Sequence, residues 1–151
     1  IEALHRAIDG LKCVKAVHIC YGYGIQENID WKKSLGSEWR QYEEIFPALN
    51  ASRIDQISLE CAGSRVPLSL LRLIPEKQLM VGAIQVTPDH IETPEEVVAT
   101  IKAAAEHVDL ARILPCTNCG MAPIPYDIAL GKLKALGAGA ALARKQLAGA
   151  R

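Results

Sequence analysis

The apolar residues of this chain follow the periodicity of strands in some segments and that of helices in others. Four short apolar runs, rich in β-branched side chains, predict strands over residues 13–20, 54–60, 79–86 and 111–116. Apolar residues at helical spacing predict helices before, between and after these strands, at 1–11, 38–49, 67–74, 94–108 and 127–147. The stretch 25–36 is polar and shows neither period, which predicts an irregular connection.

Local signals indicate where one helix starts and how another one packs. Thr93 is placed to cap the helix that follows it, Pro94 occupies the first helical position, and Glu96 completes the spacing of a capping box. The last predicted helix contains three glycines, which lower its helix propensity and therefore predict close packing against a neighbouring element: Gly131, Gly137 and Gly139.

Strands that alternate with helices are typical of an α/β fold with parallel strands and helical crossovers. Such βα units can form a small open sheet, or half of a TIM (β/α)8 barrel, whose full length is about 250 residues. The chain starts at Ile1, already within a helical pattern, which we interpret as a piece of a longer protein. We therefore predict that residues 1–151 form a single partial barrel domain.

Composition narrows the function classes. Seventeen basic residues balance seventeen acidic ones, so the charge gives no argument for binding to nucleic acid or to an anionic membrane. No apolar run approaches the roughly 20 residues that span a bilayer. Five cysteines, an odd number without a secretory signal, favour a reducing compartment, and we predict a cytoplasmic protein with thiols available for metal binding or catalysis.

Four potential metal ligands lie at the ends of predicted strands. His18 and Cys20 are two residues apart on the first strand, so their side chains point to the same face. Glu60 ends the second strand and Cys119 lies just past the fourth. The carboxyl ends of parallel strands are where barrel enzymes place their chemistry, and sulfur and imidazole donors are those that zinc prefers. The pattern predicts a zinc site in which Glu60 is the most weakly held ligand.

Cys116 and Cys119 also have the spacing of two other kinds of site, a redox pair or half of a structural zinc site. A redox pair usually opens a helix directly, whereas a glycine and two prolines follow Cys119 here. A structural site would need a second Cys-x-x-Cys, which the sequence lacks. We therefore favour Cys119 over Cys116 as a ligand, and we interpret Cys13 and Cys61 as core thiols.

Four segments together resemble the catalytic barrel of the cobalamin-independent methionine synthase family: Val17-His18-Ile19-Cys20-Tyr21-Gly22, Ile57-Ser58-Leu59-Glu60, Ile91-Glu92-Thr93-Pro94-Glu95-Glu96-Val97 and Pro115-Cys116-Thr117-Asn118-Cys119-Gly120. The resemblance covers nearly the whole chain and corresponds to the last four βα units, so it implies the C-terminal half of the TIM barrel. The connection between Cys20 and Glu60 is longer than we expect for the plant and bacterial synthases.

The resemblance implies four ligands for Zn²⁺, namely His18, Cys20, Glu60 and Cys119. It also implies methyl transfer from a reduced donor of the methyltetrahydrofolate type to the thiol of homocysteine, held as a thiolate by zinc, to give methionine. Members of the family often carry an acidic residue or a histidine at the end of the third strand, where this chain has Gln85-Val86-Thr87. His90 is our candidate for the acid that protonates the departing folate nitrogen.

Two alternatives share the same zinc–thiolate step or the same metal site. Relatives of this family transfer alkyl groups to other thiols, such as coenzyme M. A non-catalytic zinc-binding half-barrel that needs a partner chain is a hypothesis from another class. Because a half-barrel exposes two strand edges and an apolar inner face, we expect the chain to form a homodimer or to pair with the missing barrel half.

Overall fold

The computed structural model describes residues 1–23 and 25–147 and places four parallel strands in one sheet. The strands are β1 Ala16–Ile19, β2 Gln56–Glu60, β3 Gln78–Ile84 and β4 Ile113–Thr117, and they lie in the order β1-β2-β3-β4. All four predicted strands are confirmed, each somewhat shorter than predicted. Gly24 and residues 148–151, which the predicted single domain includes, lie outside this description.

Helices precede the sheet, connect its strands and follow it. They are α1 Glu2–Ala7, α2 Gln26–Ser34, α3 Tyr42–Asn50, a 3-10 helix Leu68–Leu73, α4 Pro94–Ala105, a short 3-10 helix Leu110–Arg112 and α5 Tyr126–Leu147. At the start of α4, the Thr93 side chain accepts a hydrogen bond from the Glu96 N–H, while the Thr93 N–H donates to Glu96 Oε2 at 2.7 Å. The predicted capping box is therefore confirmed.

Helix α2 lies in the stretch predicted to be irregular, so that prediction was wrong. The helix buries none of its residues, and its sequence consequently shows no apolar stripe. It is held instead by single contacts: Lys32 Nζ donates to the Gly22 carbonyl at 2.6 Å, and the Trp31 ring stacks on Tyr21 with centroids 5.6 Å apart. Periodicity cannot reveal a helix that is anchored in this way.

The two faces of the sheet differ in what covers them. One row of residues in register faces the hydrophobic core that the helices cover: Ile57, Leu79 and Ile113 belong to this core, and the partly buried Val17 packs against it. The adjacent row points to the opposite face, since side chains alternate along each strand: His18, Ser58, Met80 and Leu114. His18 and Leu114 are exposed there. Sequential strand order with one covered face is typical of a barrel segment and not of a doubly wound sheet.

Two glycines mark places where elements approach closely. A Cβ on Gly82 of β3 would collide with the Asn118 side-chain oxygen and would lie 2.7 Å from the Leu59 carbonyl. A Cβ on Gly139 of α5 would lie 2.5 Å from Val97 of α4. A Cβ on Gly131 would lie 2.8 Å from the Ile91 side chain. The close packing predicted for the α5 glycines is thus confirmed at Gly131 and Gly139, whereas a Cβ on Gly137 would meet nothing within 4 Å.

A buried ion pair joins α5 to the loop that follows β3. The Lys132 ammonium lies 2.8 Å from Glu92 Oε2, and their side chains are 0% and 5% exposed. The other oxygen of Glu92 accepts a hydrogen bond from the backbone N–H of Gln85 at 2.8 Å. Both ends of the loop that contains His90 are therefore connected to one buried carboxylate. Among the described residues, none of the helices has the length and apolar character required to cross a membrane.

Candidate metal centre

Three of the predicted ligands converge at the carboxyl end of the sheet. One ligand atom each from His18, Cys20 and Cys119 lies within 4.8 Å of the other two. Cys20 directly follows β1 and Cys119 follows β4, which are the two outer strands of the sheet. Three strand spacings in a flat sheet amount to about 14 Å. A sulfur–sulfur distance of 3.8 Å therefore requires that the sheet curl and that the loops bend inward.

This sulfur–sulfur distance suits one shared metal ion. Two sulfur atoms bound at about 2.3 Å to a tetrahedral ion lie about 3.8 Å apart, and the Cys20 and Cys119 sulfurs are separated by 3.8 Å. The donor set of one imidazole nitrogen and two sulfurs is soft, which favours zinc over magnesium or calcium. Cys20, Cys119 and His18 thus fit a tetrahedral metal in both chemistry and spacing.

Ser58 sets the orientation of the histidine. His18 Nδ1 lies 2.9 Å from Ser58 Oγ, which leaves Nε2 as the nitrogen available to a metal. No role for Ser58 was predicted from the sequence. The signal was present nevertheless, because Ser58 lies two residues before Glu60 on the same face of β2, and in register with His18.

Cys116 is not one of the three grouped ligands. Its sulfur is 3.8 Å from Ser58 Oγ and donates to the Thr117 carbonyl at 3.3 Å. Burial raises the pKa of the Cys116 thiol, which disfavours the thiolate that a redox-active cysteine needs. Cys116 lines a cavity of about 320 Å³ together with two of the ligands, His18 and Cys119.

Glu60 is buried next to the group but is not part of it. Its Oε1 accepts a hydrogen bond from the Tyr21 N–H at 2.6 Å, and its Oε2 accepts one from the Tyr23 hydroxyl at 2.9 Å. The side chain is otherwise enclosed, with the residue 2% exposed. Metal binding by Glu60 remains a prediction.

The surroundings of Cys20 disfavour its free thiolate. Burial raises the pKa of the Cys20 thiol, and the nearby Cys119 and Glu60 raise it further. Without a cation, Cys20 therefore stays protonated at neutral pH. A divalent metal reverses this preference, because it binds the thiolate and releases the proton.

His90 lies apart from this group, on the exposed loop between β3 and α4. Its Nε2 is 2.9 Å from Glu96 Oε2, and its side chain is 52% exposed. The backbone N–H of Thr93, and then His90, hold the pKa of the Glu96 carboxyl below its usual range. The catalytic role of His90 remains a prediction.

The two cysteines predicted to be core thiols differ. Cys61 is buried, as predicted, whereas Cys13 is exposed, so that prediction was wrong. Cys13 precedes β1, in a stretch that the strand does not reach. Burial raises the pKa of the Cys61 thiol to about 12.

The raised pKa of Cys61 predicts a loss of stability at alkaline pH. An unfolded thiol titrates near 8.5, so between that pH and about 12 the unfolded chain has lost a proton that the folded chain keeps. We expect the free energy of unfolding to fall above pH 8.5, by at most about 1.4 kcal/mol per pH unit from this group. Urea titrations of metal-free chain from pH 7 to pH 10 measure the slope. Cys61→Ala is expected to have a shallower slope, and an equal slope would contradict the prediction.

A solved relative has the same fold and much of the same sequence. The structure of a B12-independent methionine synthase from Shewanella sp. W3-18-1, in complex with selenomethionine, matches 97% of this chain with a TM-score of 0.91 and 60% sequence identity. This chain belongs to the B12-independent methionine synthase family. The predicted fold class, parallel βα units that form the C-terminal half of a TIM (β/α)8 barrel, is confirmed as well.

Other methionine synthases match over the same extent. The enzyme of Thermococcus kodakarensis is 25% identical over 149 residues, or 98% of this chain, and that of Sulfurisphaera tokodaii is 28% identical over 148 residues, or 97%. No family model matches the chain. The chain spans 39% and 38% of these two methionine synthases and 43% of the Shewanella protein.

Proposed function

We propose that this chain supplies the metal-binding half of a methionine synthase that methylates the thiol of homocysteine and gives methionine. The observation that carries this proposal is the convergence of His18, Cys20 and Cys119 at the carboxyl end of a curled parallel sheet. The Shewanella relative was solved with selenomethionine, the selenium analogue of the proposed product. The thiols need a reducing environment, in keeping with a cytoplasmic protein.

The proposed metal is Zn²⁺, with Glu60 as a fourth ligand. Two sulfurs and one imidazole nitrogen match the donor preference of zinc, and the cysteine sulfurs have the separation of a tetrahedral pair. Glu60 supplies the only oxygen donor of the set and is therefore the ligand that a substrate thiol displaces most readily.

The proposed metal, Ser58 and the adjacent cavity have different roles in the proposed reaction. When bound, zinc lowers the pKa of a coordinated thiol, so that the nucleophilic thiolate exists at neutral pH. Ser58 keeps His18 in the orientation that directs Nε2 to the metal. The cavity beside the ligands, of about 320 Å³, provides room for the amino acid.

The proposed methyl donor is a reduced folate of the methyltetrahydrofolate type, and His90 is the proposed acid. The donor nitrogen must be protonated as the methyl group leaves. His90 stands on the loop after β3, at the same end of the sheet as the ligands, where the Glu96 carboxylate accepts a hydrogen bond from its ring and fixes the orientation.

Metal content and methyl transfer together test this function. The chain, purified under reducing conditions at neutral pH, is expected to contain about one zinc ion per molecule. Elemental mass spectrometry measures this zinc content. The full-length gene product is then assayed with homocysteine, or coenzyme M as the alternative thiol, and methyltetrahydrofolate. Formation of methionine supports the proposal. Methylation of coenzyme M instead indicates a different alkyl acceptor, zinc without any methyl transfer indicates a non-catalytic zinc-binding half-barrel, and a chain without zinc contradicts the metal centre.

Removing the Ser58 hydroxyl is predicted to weaken zinc binding. Ser58→Ala leaves His18 without the partner that orients its ring, and such losses typically raise the dissociation constant of a metal by about 10–100-fold. Competition with a chromogenic chelator measures the constant. Ser69→Ala, an exposed serine in the 3-10 helix, serves as the matched control. Equal constants for Ser58→Ala and Ser69→Ala would show that the hydroxyl does not support the histidine.

A further inference from the structure

A chain of hydrogen bonds connects the loop of Cys119 to the carboxylate of Glu60. The Asn118 side-chain nitrogen lies 3.3 Å from the Tyr23 oxygen, and the Tyr23 hydroxyl lies 2.9 Å from Glu60 Oε2. On the other side, the Tyr21 N–H donates to Glu60 Oε1 at 2.6 Å. Both oxygens of the carboxylate are thus held by the loop that follows Cys20, and Asn118 connects that loop to the loop of Cys119.

The donor and the acceptor of each hydrogen bond between Asn118, Tyr23 and Glu60 can be assigned. Asn118 Oδ1 accepts from the Cys61 N–H at 3.0 Å, so the amide nitrogen must face the Ala62 carbonyl, at 2.7 Å, and Tyr23. An amide nitrogen only donates, so the Tyr23 oxygen accepts from it. The single phenolic proton of Tyr23 is therefore directed to Glu60, which accepts it as a carboxylate.

Packing leaves this arrangement little freedom to move. Asn118 is 1% exposed, its N–H donates to the Ile84 carbonyl at 2.8 Å, and its side chain fills the space over Gly82. The ring of Tyr23 lies under the Lys32 ammonium, 5.0 Å from the ring centroid. Lys32 is tied in turn to the Gly22 carbonyl, so helix α2 braces the loop that carries Tyr23.

These hydrogen bonds orient the Glu60 carboxylate but use only part of its capacity to accept hydrogen bonds. A carboxylate offers about four lone pairs, of which the bonds to Tyr21 and Tyr23 use two. The remaining lone pairs are free to bind a cation. Hydrogen bonds of this type to metal-binding carboxylates fix their direction and support metal affinity.

We infer that Tyr23, itself fixed by Asn118, is the positioning residue that orients Glu60 toward the metal site formed by His18, Cys20 and Cys119. This inference rests on the proposed metal centre. It assigns to the loop after β1 the role of holding Glu60 in place. Tyr23 acts through Glu60 and is not offered as a ligand.

The test removes one hydroxyl and asks whether Glu60 transmits the effect. Tyr23→Phe keeps the ring that Lys32 contacts and deletes only the donor to Glu60. The zinc dissociation constant is measured by chelator competition under reducing conditions for wild type, Tyr23→Phe, Glu60→Gln and the double variant. We expect Tyr23→Phe to raise it by about 10–100-fold, and to add little once Glu60 is already glutamine. Tyr126→Phe, at a residue 77% exposed, controls for the loss of a phenol.

A second measurement reports on the coordination itself. With Co²⁺ in place of zinc, the visible absorption bands depend on the ligands, and Tyr23→Phe is expected to change them in the same sense as Glu60→Gln. A loss of packing alone would leave these bands unaltered. The inference is overturned if wild type binds zinc but Tyr23→Phe has the same constant and spectrum, or if its effect persists in full in the Glu60→Gln background. If wild type itself binds neither metal, the proposed centre fails and this inference falls with it.

Discussion

Cys119→Ser is expected to yield a folded chain that retains almost no zinc and, in the full-length protein, forms no methionine. Cys119 supplies one of the three ligand atoms that lie within 4.8 Å of one another. The binding free energy of zinc with about four protein ligands is about 10–16 kcal/mol, so one thiolate accounts for roughly 2.5–4 kcal/mol, or about a 10²–10³-fold change in affinity. A serine hydroxyl remains protonated at neutral pH and does not replace it. Elemental analysis after dialysis against a weak chelator measures the retained metal.

Cys116→Ser is the matched control for this substitution. Cys116 lies three residues earlier and contacts Ser58, but it is not part of the ligand group. We expect the Cys116→Ser chain to retain about one zinc. We expect the same of Cys13→Ser, because the Cys13 thiol is exposed. Retention of zinc by Cys119→Ser together with its loss in Cys116→Ser would contradict the assignment of Cys119 and favour its neighbour.

Lys132→Met is expected to lower the free energy of unfolding by about 3–5 kcal/mol. Methionine fills nearly the same volume, so packing is largely preserved, but the Glu92 carboxylate loses the ammonium 2.8 Å away. An unpaired charge that is 5% exposed is poorly solvated, which is the origin of the large effect. Chemical denaturation of the metal-free chain, followed by circular dichroism, measures the difference from wild type.

Two further variants separate charge from packing. Lys134→Met changes an exposed lysine two residues along the same helix, and we expect it to alter stability by less than about 0.5 kcal/mol. Adding Glu92→Gln to Lys132→Met removes the unpaired charge and keeps an acceptor for the Gln85 N–H, so much of the loss should be recovered. A loss in Lys132→Met no larger than that in Lys134→Met would show that the ion pair has no stabilising role.

The repetitive features of the fold were predictable because they depend on burial. Strands that form one covered face leave an apolar run in the sequence, and the capping box at Thr93 is a local pattern. Helix α2 was missed because it buries no residue. Cys13 was misassigned because an apolar run does not show where the sheet begins, and β1 starts only at Ala16.

The candidate site was predictable in its residue types but not in its geometry. The spacing of His18 and Cys20 reveals a shared face, and strand order suggests a common edge. The convergence of Cys20 with Cys119 depends on the curl of the sheet, which no short motif encodes. The contacts of Glu60 with Tyr21 and Tyr23 depend on the loop path after β1, and the support from Ser58 depends on strand register.

Because the sulfurs of Cys20 and Cys119 lie 3.8 Å apart, a metal bound at the proposed site would also cross-link the fold. The two residues are 99 positions apart, so an ion bound to both closes a loop of that length. For a covalent cross-link over about 100 residues, the restriction of the unfolded chain is worth about 4.7 kcal/mol. The carboxyl ends of the two outer strands would then be cross-linked by the same ion that is proposed to bind the substrate thiol. If the proposed metal binds to both cysteines, the melting temperature is expected to rise with the concentration of free metal.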